Sequence, residues 1–543
     1  MVFARRSTTL LAAIIASCAM VLSLTACTSD NKTVVDGQTT VTSNSAGGVA
    51  VFTPSDGITL NQQMPLNKWA KLVPDLTKAL VDAGFKKGDI NHTTSDSLDK
   101  QSRAIQDFVV DHLSNNTTDD SGIAIAPDNM TLLVAPVVEA DASTRQYGDY
   151  VSQNLSTNDV TDEGATSDGE SSEDDSSEDD SSNTESDSTA SDEQAQAVDR
   201  LVSSLKLAKE SGMHVVLLGN SIEGYKPDAF VKFSDAQTIG KLQAEKMVSK
   251  LKLDKASKDN PKYIEVLLPY TAMDEKGNAN DSTFAQEAFR GIWQVLGSYY
   301  QKGVVESPSG TLDGKSTEND WQAVAYDAAK EGSTAKVLDK RLAKTDGQST
   351  LTRIDGIITM NDYIASEVVK ELDDLGYTGS AADINPQITI SGIVGNITGK
   401  KDLSRDAVPD PIKSPENDNA NDSSSSDDDA DKDTSASDKD RDSQWPLVTG
   451  YGAYVSNIPS IVNGKQWMTG MEDRQTIATD IAQACAKLNK DEALNSMPSI
   501  RNSEVGGVKK IPTISEPLLA VSASNLKSAL IDPGYISLAD AGL

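Results

Sequence analysis

The sequence has few of the residues, and none of the motifs, that carry common enzyme chemistry. Its 543 residues include three histidines and three cysteines. It contains no H-E-x-x-H zinc motif, no G-x-S-x-G nucleophile turn and no glycine-rich loop that would cradle a phosphate. The sequence therefore predicts no cofactor, no bound metal and no enzymatic activity. This prediction depends on the missing site, because one fold can serve both binding proteins and enzymes.

The sequence also lacks a cluster of basic residues. The formal net charge is −33 at pH 7, and most of it lies in two Ser/Asp/Glu-rich tracts at residues 159–193 and 416–442. Without a basic patch to neutralise phosphates, nucleic acid is not expected as a partner. The tracts cannot bury enough apolar surface to offset chain entropy, and they lack the fixed spacing of a calcium loop. They are predicted to be disordered, solvated spacers.

The cysteines are too few for an internal disulfide once the N-terminus is considered. Arg5 and Arg6 precede an apolar run over 10–24, and Leu-Thr-Ala-Cys follows, ending at Cys27. This arrangement resembles the lipobox of bacterial lipoproteins, so it predicts an export signal at 1–26 and a lipid on Cys27. An uncleaved anchor is the alternative. We expect the protein on the outer face of the cell membrane, or in a periplasm, with Cys485 as its one free thiol.

Apolar runs and helix-period segments alternate along the chain. For example, 354–358 reads as a buried strand, and residues 364, 368, 372 and 375 then recur at helical spacing. Such alternation predicts an α/β fold built from parallel βαβ units with right-handed crossovers. The same reasoning predicts strands at 121–127 and 514–521 and a helix at 321–331. The acidic tracts are insertions within this pattern.

Polar residues follow the predicted strands repeatedly. They are Asn129, Asn220, Asp274, the pair Asn361 and Asp362, and Tyr451. In open parallel sheets, ligands bind beyond the carboxyl ends of the strands. Two lobes with such ends facing each other would form a cleft suited to a small polar ligand, above all a sugar.

The order of several motifs resembles that of the type I periplasmic sugar-binding proteins, closest to the D-xylose-binding and multiple-sugar-binding group. The resemblance covers nearly all of the chain outside the tracts, and its segments are MPLNKW (64–69), DKQSRAIQDFV (99–109), FSDAQTIGKLQA (233–244), NDWQAVA (319–325), TMNDYIA (359–365), VTGYGAYVSNIPSIVNGKQWMTG (448–470) and NLKSALIDPGYISL (525–538). It implies two Rossmann-like lobes joined by three hinge crossings, which close on a sugar in the cleft between them.

The resemblance also implies a domain organisation. The predicted segments are a tether at 27–50, a first lobe at 51–233, a second lobe at 234–469, a return to the first lobe at 470–505 and a closing second-lobe segment at 506–543. The acidic insertions fall at about 157–192 in the first lobe and about 413–443 in the second.

Two family contacts are kept. By the resemblance, Trp321 matches a tryptophan that stacks on a pyranose ring, and Asn361 matches a hydrogen-bonding asparagine. Lys68 stands where the family has an arginine, which keeps the charge but loses the planar fork. Asp274 in a lengthened loop is an approximate match.

Other positions depart from the family. Gly219 and Asn220 replace an acid and an arginine, Gly452 beside Tyr451 replaces an aspartate, and Glu472 replaces a basic residue. Several charged sugar contacts of the family are therefore missing.

Each candidate also has a structural interpretation. Trp321 could pack in the core, Asn361 and Asp362 could cap a helix, and Lys68 could be a solvated charge. Trp69 could line the cleft or fill the core of an amphipathic helix. Tyr451 could be a new aromatic platform or could cover the hinge.

The predicted function is a monomeric, lipid-anchored receptor that captures a small carbohydrate by hinge closure and delivers it to the transmembrane subunits of an ABC permease. Two alternatives remain open. One is a sugar sensor or co-receptor for a membrane signalling protein, and the other is a surface protein of the same fold that has lost sugar binding.

Overall fold

The protein is represented by a computed structural model. It describes residues 46–56, 65–115, 125–138, 142–151, 153–156, 185–273, 280–343, 351–381 and 443–543. No helix within these ranges combines the length and apolar character needed to span a bilayer.

The described strands and helices alternate along most of the chain. The strands are β1 (Gly48–Pro54), β2 (Ile90–Ser95), β3 (Met130–Val134), β4 (Asn154–Leu155), β5 (His214–Leu218), β6 (Ser221–Ile222), β7 (Ala229–Lys232), β8 (Lys262–Val266), β9 (Leu268–Pro269), β10 (Val305–Glu306), β11 (Ala325–Tyr326), β12 (Gly356–Ile358), β13 (Leu447–Tyr451), β14 (Met468–Met471), β15 (Ile500–Val505), β16 (Val508–Ser515) and β17 (Leu519–Ser522). The helices are α1 (Trp69–Asp82), α2 (Leu98–Asn115), α3 (Ala142–Arg145), α4 (Glu185–Glu210), α5 (Ala236–Leu251), α6 (Thr283–Gln301), α7 (Trp321–Val324), α8 (Ser333–Arg341), α9 (Asp362–Leu375), α10 (Ile458–Val462) and α11 (Arg474–Leu488).

The strands form two main sheets. One has seven strands in the order β15-β16-β7-β5-β3-β1-β2, and the other has six in the order β10-β8-β12-β13-β14-β17. All pairings are parallel except β15 with β16 and β14 with β17. We call the first sheet with α1 to α4 and α11 the first lobe, and the second sheet with α5 to α10 the second lobe. The predicted α/β fold of two Rossmann-like lobes is confirmed.

The chain passes between the lobes three times within the described residues. It crosses between β7 and β8, between β14 and β15, and between β16 and β17. The last crossing follows Ser515, because β16 pairs with β7 in the first sheet. The predicted boundary between 505 and 506 instead lies inside the β15–β16 hairpin.

Each lobe has its own hydrophobic core. The first sheet is covered on one face by α1 and α11 and on the other by α2 and α4, which gives two apolar layers. The second sheet shares a large cluster with α5, α6, α8 and α9, which also includes Tyr147 and Val151, and a smaller cluster joins β14 and β17 to α10. The inner parallel strands are almost wholly buried, as expected for sheets with helices on both faces, whereas the edge strand β2 exposes four of its six residues.

Three local predictions were wrong, and two of the causes are long-range. Of the strand placed at 121–127, the described residues 125–127 form no strand, and β3 lies at 130–134, so Asn129 precedes that strand instead of following one. The helix placed at 321–331 ends after one turn, because Ala325 and Tyr326 pair with β9. The strand placed at 514–521 is two strands in different sheets, with Pro517 between them, where a missing N–H cannot continue a ladder.

Several predictions fall outside the described residues. These include lipidation at Cys27, ligand binding by Asp274 and the disorder of most of both acidic tracts. Helix α4 begins at Glu185, so its first turns lie within the first tract, where disorder is predicted from the sequence.

Candidate functional site

Asn361 lies where the two lobes meet. It is the N-cap of α9 with extended backbone, and its Oδ1 accepts a hydrogen bond from the Ile364 N–H at 2.9 Å. Its Nδ2 donates to Oε1 of Gln146, a first-lobe residue, at 3.1 Å. The side chain is fully buried. Asn361 thus caps its helix and also contacts the opposite lobe, so the capping and the binding interpretations are compatible.

A first-lobe segment occupies the space in front of Asn361. We call residues 144–151 the cleft segment; it follows the carboxyl end of β3. The ring of Tyr147 is 1% exposed and packs against two second-lobe rings, with centroids 4.7 Å from Phe284 and 6.3 Å from Tyr451. The Gln146 carbonyl accepts a hydrogen bond from the Tyr454 hydroxyl at 2.6 Å. A polar and an aromatic residue of the first lobe therefore fill the centre of the cleft.

The other side of the cleft segment is attached to the first lobe. Asp149 pairs with Lys68 at 2.8 Å and accepts from the Trp69 N–H at 3.0 Å. The Tyr150 hydroxyl donates to the Lys68 carbonyl at 2.5 Å. Gly148 has a φ of +97°, and a Cβ there would lie 2.6 Å from the Asn67 carbonyl oxygen. Lys68 is thus engaged within its own lobe, and the segment turns tightly against the loop before α1.

Asp56, just beyond β1, adds a second carboxyl to this group. Burial, and then its hydrogen bond with Asp149, raises the pKa of Asp56 to about 6. Lys68 opposes this effect. The Asp56 carboxyl therefore keeps its proton to a higher pH than an exposed aspartate does.

Asp362 is an internal acceptor within the second lobe. Its carboxylate accepts from the Tyr454 N–H at 2.9 Å, from the Thr469 hydroxyl at 2.9 Å and from Gln466 Nε2 at 2.7 Å. Burial raises the pKa of Asp362 to about 6, against the effect of these hydrogen bonds. With both oxygens used, Asp362 organises the strand ends of its own lobe.

Tyr451 and Glu472 lie at the hinge. Glu472 follows β14 on the second crossing, and it accepts from the N–H of Ser234, which lies on the first crossing, at 2.6 Å. The Ser234 hydroxyl contacts both Glu472 and the Tyr451 hydroxyl. Burial raises the pKa of Glu472 to about 7. The Tyr451 hydroxyl faces this buried cluster, which matches the interpretation that Tyr451 covers the hinge.

Trp69 and Asn220 are buried in the first lobe. The Trp69 ring meets Tyr150 and Phe233 edge-on, with centroid distances of 5.0 and 5.7 Å. Asn220 donates to the Pro136 carbonyl at 2.9 Å and accepts from the Gln153 N–H at 3.0 Å. Trp69 therefore packs against Tyr150 of the cleft segment. Asn220 connects the loops that contain Pro136 and Gln153.

Trp321 lines a surface depression of about 630 Å³ at the carboxyl ends of β9 and β11. Its ring stands nearly perpendicular to Tyr270, with centroids 5.2 Å apart. The remaining lining residues include Thr271, Gln322, Asp327 and Lys330, which offer hydrogen-bonding groups. Partly buried aromatic rings beside such groups suit the apolar face and the hydroxyls of a sugar.

Sequence reasoning missed the cleft segment. The one available signal was the run RQYGDY at 145–150, which places two tyrosines around a Gly-Asp turn in a sequence with only 5% aromatic residues. Within the described part of the chain, no group of three or more His, Cys, Asp or Glu residues is arranged to hold a metal.

Replacing Asn361 separates its two roles. Asn361→Ala should lower the free energy of unfolding by about 1–2 kcal/mol, since it removes a helix cap and an inter-lobe hydrogen bond. Asn361→Ser keeps a capping oxygen and should recover about half of that loss. Urea denaturation of the purified proteins measures both. Equal losses in the two variants would show that the cap contributes little here.

Comparisons with known proteins found likenesses among solved structures alone. The sequence matches no protein-family model and no curated protein. The chain is similar to an ABC transporter solute binding protein from Clostridium phytofermentans with bound β-D-glucose, with 16% identity and a TM-score of 0.44, over 91% of this chain and 99% of that one. It is also similar to a carbohydrate transporter solute binding protein from Chloroflexus aurantiacus in complex with D-glucose (17% identity, TM-score 0.43, 91% and 98% covered) and to AraP, an arabinose binding protein from Geobacillus stearothermophilus (10%, 0.41, 89% and 99%).

Proposed function

We propose that this protein is a non-enzymatic receptor that binds a small carbohydrate and changes conformation about a hinge. The observation that carries the proposal is that the two lobes meet at the carboxyl ends of their strands, where Gln146 contacts Asn361. Three chain crossings connect these lobes. A ligand that touches both lobes binds one lobe arrangement better than another and shifts the population toward it. We propose that the two lobes are the bodies that move, with the sequence-based boundaries shifted to the start of β1 at Gly48 and to crossings that follow Met471 and Ser515.

The Trp321 depression supports carbohydrate as the ligand class. Trp321 and Tyr270 provide aromatic surface, while Asp327 and Lys330 provide an acceptor and a donor in the same depression. A volume of about 630 Å³ is ample for a monosaccharide and within the range of small-molecule sites. We propose Trp321 as the stacking residue and Asn361, which is not among the residues that line this depression, as a hydrogen-bonding partner at the strand end between the lobes.

A thermal-shift screen over pentoses, hexoses and oligosaccharides tests the proposal, with calorimetry for any sugar that responds. A ligand that binds only the folded protein must raise its melting temperature. Trp321→Ala should abolish the response, and Trp321→Phe should retain part of it because a ring remains. Trp293→Phe is the control, since Trp293 is buried in the second-lobe core. A full response in Trp321→Ala would remove Trp321 from the site.

We further propose that Cys27 carries a lipid anchor and that the liganded receptor delivers its sugar to an ABC permease. The support is the lipobox-like sequence that ends at Cys27. In a bacterial host, the wild-type protein should fractionate with membranes and Cys27→Ala should not. Recovery of both proteins in the membrane fraction would contradict acylation at this residue.

One observation favours a second candidate, a surface protein that keeps the fold without sugar binding. The centre of the cleft is already filled by Gln146 and Tyr147. A folded protein that responds to no sugar in the screen would support this candidate.

A further inference from the structure

The cleft segment makes contacts of the kind that a ligand between the lobes would make. The side-chain Oε1 of Gln146 accepts a hydrogen bond from Nδ2 of Asn361, and the backbone carbonyl of Gln146 accepts one from the Tyr454 hydroxyl. Tyr147 places a ring against Phe284 and Tyr451 and is 1% exposed. The second lobe thus contributes two hydrogen-bond donors and two aromatic rings, and all four engage residues of the first lobe.

The segment is also fixed firmly on its own side. The Lys68–Asp149 pair is about four-fifths buried at both side chains, and Asp149 accepts a backbone hydrogen bond as well. The Asp149 N–H donates to the Asn67 carbonyl at 2.8 Å. The cleft segment is therefore fixed to the first lobe and at the same time contacts the second lobe.

We propose that the cleft segment is an internal occupant of the inter-lobe site. The segment holds the lobes together without ligand, and it must be displaced before a sugar can contact Asn361 and Tyr454. The displacement by sugar depends on the proposed function. The holding of the lobes does not, since it depends only on contacts within the chain.

This arrangement lowers the apparent affinity for any ligand between the lobes. When only a small fraction of molecules has the segment displaced, the apparent dissociation constant rises in inverse proportion to that fraction. Weakening the grip of the segment on the second lobe should therefore increase affinity, whereas loss of an ordinary binding contact decreases it.

The test uses the full chain with Cys18→Ser and Cys27→Ser, so that spin labels attach only at Lys78→Cys on α1 and Lys336→Cys on α8, while Cys485 stays buried. Two further variants, Gln146→Ala and Tyr147→Ala, loosen the segment. Without sugar, each should lengthen and broaden the distance distribution between the labels. Leu296→Ala, a core deletion in the second lobe, should lower stability and leave the distances unchanged.

Titrations with D-xylose and D-glucose test the competition. Affinity should rise on the order of tenfold in Gln146→Ala relative to the parent chain. Unchanged distances in both loosened variants would overturn the proposal, and unchanged or weaker sugar binding in Gln146→Ala would overturn the competition. If neither sugar binds any variant and the wider screen is also negative, the proposed function fails, while the distances still decide whether the segment holds the lobes.

Discussion

Arg341→Met is expected to lower the free energy of unfolding by about 3–5 kcal/mol, because it leaves a buried carboxylate without its counter-charge. Glu265, on β8, is 0% exposed and lies 3.4 Å from the Arg341 guanidinium. Arg341 also donates to the carbonyls of Val266 at 2.5 Å and Val324 at 2.9 Å. Methionine fills a similar volume but offers none of these three hydrogen bonds.

The same change should weaken any sugar response. Val324 ends the single turn that carries Trp321, and Arg341 connects that turn to the carboxyl end of β8 in the second sheet. We therefore expect the Arg341→Met protein, at a temperature where it remains folded, to show a smaller thermal shift than the wild type. A full shift would mean that the Trp321 turn is held by other contacts.

Chemical denaturation with two comparisons isolates the buried pair. The double variant Glu265→Gln/Arg341→Met removes both charges and should recover part of the loss, since the neutral amide costs less to bury. Arg103→Met is the exposed comparison. Its pair with Asp99 joins side chains that are 61% and 47% exposed, so its loss should change stability far less than the loss of the buried pair. Similar losses for Arg341→Met and Arg103→Met would contradict the argument.

The fold could be predicted because its signals are local and repeated. The alternation of strand and helix patterns from β5 onward predicts parallel βαβ units. Asn361 is a candidate because a capping residue follows a buried strand at this point. Asn361 also matched a family position, so two separate arguments converged on one residue. The limits of α9 agree within about two residues with the helical spacing predicted over 364–375, as expected for a helix with an apolar face.

The rest of the site depended on contacts between distant parts of the chain. Gln146 and Asn361 are separated by 215 residues, and the sequence around either residue does not indicate that the two side chains are in contact. The helix expected after Trp321 ends early because β11 pairs with β9. This pairing depends on a distant strand and not on the local sequence. Lys68 was considered as a sugar contact or a solvated charge, but its carboxylate partner lies 81 residues away, at Asp149.

Glu472 is the position where departure from the sugar-binding proteins that the sequence resembles has the clearest physical consequence. By that resemblance a basic residue stands at this position, and the structure instead buries a carboxyl group between two inter-lobe crossings. It accepts from the Ser234 N–H and hydroxyl and lies near the Tyr451 hydroxyl. Burial raises the pKa of Glu472 from 4.5 to about 7, and the hydrogen bonds from Ser234 only partly oppose that effect.

Glu472→Gln should therefore stabilise the protein in neutral to alkaline solution. A carboxyl with a higher pKa in the folded chain binds protons better there, so its contribution is most favourable below about pH 4.5 and is lost as the pH rises through about 7. The difference between 4.5 and about 7 corresponds to about 3 kcal/mol. Glutamine keeps an oxygen to accept from Ser234 and never ionises. At about pH 8 the variant should thus exceed the wild type by up to about 3 kcal/mol, and at about pH 5 the two should nearly coincide.

Urea denaturation of both proteins between about pH 5 and pH 8 measures this difference directly, because other titrating groups such as Asp56 and Asp362 are common to both and cancel. Glu492→Gln is the matched control. Glu492 is exposed, and its hydrogen bond with Lys487 lowers its pKa, so the control should gain nothing at alkaline pH. A gap between wild type and Glu472→Gln that stayed constant with pH would mean that Glu472 titrates alike in the folded and unfolded chains. A gap that opens between pH 5 and pH 8 would place a titrating group on the crossings that connect the two lobes.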